Sequence, residues 1–153
     1  MLFQTHLALG VITFILFGDY FSGGNVLLFF FFVLLGSLLP DLDDGKSKIK
    51  QASGILGMLI SFIFKHRGFL HSLFFGALLW FVVSFWSTYY AWGLLLGFFS
   101  HLFGDVITVR GLRLFYPFNF RIHGWLRVGS FWEMLVLFIA LVLLVRWLVI
   151  VLV

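Results

Sequence analysis

Long apolar runs broken by short polar segments set the pattern of this chain. Five runs, from about Leu2 to Phe17, Val26 to Leu39, Phe69 to Ser87, Ala91 to Val109 and Phe131 to Val153, hold almost nothing that water would solvate. A spanning helix wants about 20 apolar residues, or about 17 at minimum. The pattern therefore predicts an all-α polytopic membrane helix bundle of about five spans. The first two runs are short by that measure and cross only if their polar ends lie in the headgroup layer or the bilayer thins. A sixth run, Ala52 to Phe64, is too short to cross. With Lys46, Lys48 and Lys50 before it and Lys65 and Arg67 after it, it is expected to re-enter or to lie in the interface. Gly23-Gly24 and Gly45 mark turns. Residues 1–153 read as a single integral-membrane domain with no repeat and no extramembrane domain.

Composition points the same way. The 153 residues are 63% hydrophobic and 10% charged, with a mean hydropathy of +1.15. A soluble domain carries about 25% charged residues, so lipid is the expected solvent for most of the chain. The N-terminal run lacks a basic region and a small-residue cleavage site, so it is read as a retained span and not a signal peptide. Apart from Arg146, the Lys and Arg residues fall in two segments, 40–68 and 110–130, which five spans place on one side. The loops 18–25 and 87–90 carry no basic residue and a single acid, Asp19. By the positive-inside rule the basic side is cytoplasmic, giving N-in and C-out in an inner membrane. Arg146 snorkels outward. The net charge of +4 then reports orientation and anionic headgroups, and no nucleic-acid partner is expected.

The absence of cysteine excludes a disulfide framework, an iron–sulfur cluster and a thiolate zinc site. Any metal must be held by imidazole and carboxylate, which suits zinc, manganese or iron. Ionisable residues at membrane depth are costly and mark function by default. His6 starts the first span, the Asp41, Asp43, Asp44 run ends the second, and His66 and His71 flank the start of the third. His101 and Asp105 lie near the end of the fourth, and Glu133 opens the fifth. All fall at one membrane face, on a topology set from Lys and Arg alone. His101 and Asp105, four apart, share a helix face one turn apart, a workable two-ligand clip. Asp41 and Asp43 follow Pro40, where two carboxylates can converge and one can bridge two metals. The cluster exceeds one ion's needs and has the size of a two-metal site, which activates water and clamps attacking and leaving oxygens.

Four strings carry a family resemblance: Thr5-His6 with Gly10, GSLLPDLDDGKSKI from Gly36 to Ile49, KHRGFLHSL from Lys65 to Leu73, and GFFSHLFGDVITVRGLRLFYPF from Gly97 to Phe118. In order and wording they resemble the YdjM-like, LexA-regulated, membrane-bound metal-dependent hydrolases, and Gly129-Ser130 with Glu133 is similar to that family's tail motif. The resemblance implies a multi-span inner-membrane protein, distantly similar to zinc-dependent phospholipase C and the single-strand nucleases. On that analogy His6, Asp41, His71, His101, Asp105 and Glu133 are metal ligands, with Asp43 and His66 as further ligands or their partners. Those soluble relatives use an N-terminal tryptophan as a ligand and residue 1 here is Met, so the expectation is two metals, zinc or alternatively manganese.

The expected activity is hydrolysis of a phosphoester in a lipid or lipid-linked substrate at the cytoplasmic face. Asp43 or Glu133 would act as general base. Arg67, with Arg110 or Arg113, would hold the phosphate. One rival is a metal-free lipid phosphatase with a histidine nucleophile, which shares the His101/Asp105 spacing but needs a lysine–arginine clamp and a PSGH-like string that the chain lacks. Another is a metal or proton transporter, whose site would lie near the midplane. A third is a structural or partner-binding bundle.

Overall fold

The computed structural model describes residues 1–43 and 68–152. The sixth apolar run, with Asp44, His66 and Arg67, lies outside the described residues, as does the Asp43 side chain. The described chain is all-helical: α1 (Phe3–Phe17), α2 (Val26–Leu38), α3 (Leu73–Ser84), α4 (Thr88–Val106) and α5 (Phe131–Leu152). Single 3-10 turns cover Gly18–Tyr20, Leu39–Asp43 and Phe69–His71. Among the described residues there is no strand, only two isolated bridges that pair Thr108 with Leu126 and Leu112 with Ile122.

Capping chemistry explains where these helices begin. Asn25 Oδ1 accepts from Leu27 N at 2.9 Å and Leu28 N at 3.1 Å, so α2 starts at Val26. Ser72 Oγ accepts from Phe75 N, which delays α3 to Leu73 and leaves Phe69–His71 as a separate turn. Ser87 caps α4 through Tyr90 N, so the helix starts at Thr88, three residues before the apolar run begins at Ala91. One expectation is narrowed as a result. At about 1.5 Å per residue α2 and α3 reach only about 20 Å, against a hydrocarbon core of about 30 Å. Among the described residues one helix, α5 over Phe131–Ile150, is long and apolar enough to cross a membrane. The five-span bundle thus reduces to five helices with one clear span.

The helices alternate in direction, and α2 and α4 form the centre, with α1 packed on both, α5 on α1 and α3 on α4. Small residues make the central contact. A methyl group on Gly36 would run into Leu94 O, and one on Gly97 into Val33 O. The two backbones therefore touch, as they do where glycine lines a helix–helix seam in lipid. Phe14, Phe29, Val33 and Tyr89 pack one end of the core, and Phe98, Leu102 and Leu112 the other.

Candidate metal centre

The alternation brings the start of α1, the turn after α2, the turn before α3 and the end of α4 to one end of the bundle. His6, His71 and His101 are fully buried there, Asp105 is 1% exposed and the Asp41 side chain 13%. His101 lies between two groups. Its Nε2 is 3.3 Å from His71 Nε2 and 3.9 Å from Asp105 Oδ2, while His71 Nε2 is 3.7 Å from that same oxygen. Asp41 Oδ1 is 3.8 Å from His101 Nε2, and the His6 ring stacks on the His101 ring at 3.8 Å. Asp105 faces both ways. Its Oδ1 is 3.6 Å from His6 Nε2 and accepts from the Met1 amine at 2.8 Å, while its Oδ2 faces His71 and His101.

Two trios have ligand atoms close enough to hold an ion: His71, His101 and Asp105, and His6, Asp41 and His101. The fit can be tested on distances. Zinc bound tetrahedrally at about 2.0–2.1 Å sets its ligand atoms about 3.3 Å apart. The first trio has edges of 3.3, 3.7 and 3.9 Å, one triangular face of such a site with its fourth corner left over. Protonation agrees. His101 Nδ1 is 2.8 Å from Ser37 O, and a carbonyl only accepts, so Nδ1 carries the proton and Nε2 presents its lone pair to the cluster. Neither ring nitrogen of His6 has a hydrogen-bond partner among the described residues. A buried imidazole in that state is costly, and a cation between His6 Nε2 and Asp105 Oδ1 would satisfy one of the two nitrogens. Burial pushes the Asp41 carboxyl above its ordinary range, against the pull of His6 and His71.

Glu133 is fully buried but belongs to neither trio. Its Oε1 accepts from Leu2 N and Thr5 Oγ1, both at 2.8 Å, and its Oε2 from Gly129 N. Leu2 gives α1 no side-chain cap, so the carboxylate of another helix closes that terminus, where negative charge is favourable. Sequence reasoning assigned Glu133 to metal, and nothing in the local sequence signals the amide it serves. Replacing Glu133 with alanine strands three donors and is expected to cost about 3–5 kcal/mol. Thermal unfolding of the purified variant measures this, and an unchanged midpoint would remove the role. Arg113 is half-buried, Arg110 is exposed and His123 is exposed. The feature that sequence reasoning missed is the Ser37 carbonyl. The small residues Gly93 and Gly97 on α4 were the available signal for a backbone that close.

Buried imidazoles and carboxylates at one end of an apolar helical bundle define a membrane protein with a candidate metal centre. The chain belongs to the YdjM inner membrane protein family, whose description matches residues 1–153. It is 38% identical over 110 residues to the uncharacterized protein YvsG of Bacillus subtilis (strain 168), covering 67% of each chain. It is 33% identical over 101 residues to the inner membrane protein YdjM of Escherichia coli (strain K12), and equally to that of Shigella flexneri. That match takes in 58% of this chain and 48% of either YdjM protein, so the matched segment spans about half their length. No solved structure matches the chain.

Proposed function

We propose that this protein is a metal-dependent hydrolase of a phosphoester in a lipid or lipid-linked substrate, working at the cytoplasmic face of the inner membrane. The observation that supports it most is the convergence of His6, Asp41, His71, His101 and Asp105, from four separate elements, on ligand spacing inside an apolar bundle. Such a cluster is costly to bury and has no packing purpose. His101 has one free nitrogen and belongs to both trios, so one ion would take His71, His101 and Asp105 Oδ2. A second would take His6 with Asp41 and Asp105 Oδ1, and zinc or manganese suits imidazole with carboxylate. Bound there, divalent ions supply Lewis acidity toward a phosphoryl oxygen and make water more acidic. Arg113 and Arg110 follow Asp105 by a few residues and, with Arg67, would orient the phosphate. With Glu133 Oε1 engaged by Leu2 and Thr5 and its Oε2 by Gly129, Asp43 is the remaining choice of base. The topology that goes with this reading is N-in and C-out, with the shorter helices crossing a locally thinned bilayer.

The test is metal content by plasma mass spectrometry, followed by hydrolysis of phospholipids and prenyl phosphates with and without chelator. About two zinc or manganese ions per chain are expected, with turnover that chelation abolishes and metal restores. A His101→Ala/Asp105→Ala double variant should lack both. Turnover that survives chelation would move the protein to the metal-free phosphatases. Bound metal without turnover on any phosphoester would remove the hydrolase reading.

A further inference from the structure

The segment joining α4 to α5 carries Arg110, Arg113, Arg121, Arg127 and His123 and no acidic residue. It is tied down by its own backbone. Leu112 and Ile122 exchange hydrogen bonds of 2.9 and 3.0 Å, Val109 N donates to Leu126 O at 3.0 Å, and Leu126 N to Ile107 O at 2.9 Å. Leu114 O accepts from Leu73 N at 2.9 Å, which fixes the segment to α3. Leu112 and Leu126 are buried beneath it. Yet Phe118, Phe120 and Trp125 stand 67%, 65% and 70% exposed, with Arg110, Arg121 and Arg127 exposed among them. A fixed segment that holds large rings outward is built for a surface. The position says which one. Trp125 meets Trp132 at 6.1 Å, and Trp132 with Phe131 opens α5, the helix of membrane-crossing length. Aromatic belts sit at that level of a span.

We infer that residues 107–130 form an interfacial hairpin seated in the headgroup layer of an anionic leaflet, with its rings at the acyl boundary and its arginines on lipid phosphate. The charge match selects this occupant, because four arginines without a carboxylate complement anionic headgroups. The hairpin begins two residues after Asp105 and ends before Glu133, so it holds the cluster end of the bundle at headgroup depth. This inference rests on the family's place in the inner membrane and not on the chemistry of the cluster.

The absence of cysteine allows single-site labelling. Full-length Phe118→Cys and Phe120→Cys proteins, each with a solvatochromic probe, would be reconstituted in phosphatidylcholine vesicles and in vesicles with about one third phosphatidylglycerol. Probes at both positions are expected to emit to the blue of one at Ser22→Cys, in the loop between α1 and α2, and to resist acrylamide several-fold better. The shielding should be greater in the anionic vesicles, and Arg110→Gln/Arg121→Gln/Arg127→Gln should return it to the phosphatidylcholine level. Quenching equal to the Ser22 position in both vesicles would overturn the inference. So would shielding indifferent to lipid charge, or shielding that grows with the protein-to-lipid ratio, which would assign the surface to a second copy.

Discussion

Replacing Asp105 with asparagine is expected to weaken metal binding by at least about 100-fold, which is about 2.7 kcal/mol. The substitution keeps the shape of the side chain and removes the charge. Partners that merely orient ligands already contribute 10- to 100-fold, by the usual order of magnitude, and Asp105 is closer to the chemistry than that. One of its oxygens completes the trio with His71 and His101, and the other lies against His6. Its loss therefore touches both halves of the cluster, whereas Asp41→Asn touches one. Competition titration against a chromogenic chelator measures the affinity, and thermal unfolding supplies an independent readout. A ligand at 100 times its dissociation constant stabilises a protein by about 2.7 kcal/mol. The wild-type midpoint should thus rise with added zinc, and that of the variant should not. Equal affinity in the two proteins would sink the assignment of Asp105.

The histidines and aspartates of this site were legible because of how a membrane sorts side chains. Ionisable residues are so rare in these apolar runs that His6, Asp41, His71, His101 and Asp105 stand out individually. A bundle of alternating direction then leaves few places for them except one end. Helix ends were legible where a polar cap interrupts the run, as at Asn25, and misplaced where the cap lies inside it. Ser72 and Ser87 look like tolerated hydroxyls in an apolar stretch, but each stops one helix register and starts another. Glu133 shows the opposite limit. An acid in the first turn of a helix announces favourable charge, but which distant amide it meets depends on how α5 lies against α1. Backbone groups carry no signature of their own, so only the small residues Gly93 and Gly97 hinted at the carbonyl that orients His101, and the packing of α2 on α4 identifies it.

That packing makes Gly97→Ala a second severe change, although Gly97 is not itself a candidate ligand. A methyl group there would overlap Val33 O and lie 2.7 Å from Val33 C and 2.8 Å from Ser37 N. Those atoms belong to a helix backbone and cannot rotate aside, so α2 and α4 must move apart. Overpacking of this kind typically costs 1–3 kcal/mol, and backbone contact puts Gly97→Ala at about 3 kcal/mol. The same displacement lengthens the 2.8 Å contact from His101 Nδ1 to Ser37 O. Once that carbonyl recedes, Nδ1 no longer holds its proton by preference, and the ring is free to turn Nε2 away from the cluster. Metal affinity should fall about 10- to 100-fold, the ordinary effect of losing an orienting partner. Ser37→Ala separates the two effects. Among the described residues the hydroxyl bonds only Leu34 O, at 2.8 Å, and its removal leaves the carbonyl in place, so affinity should stay within about twofold of wild type. Chelator competition on all three proteins, with thermal unfolding to follow stability, makes the comparison. If Gly97→Ala unfolds earlier but binds metal as tightly as Ser37→Ala, the seam supports the fold alone and the carbonyl does not position His101.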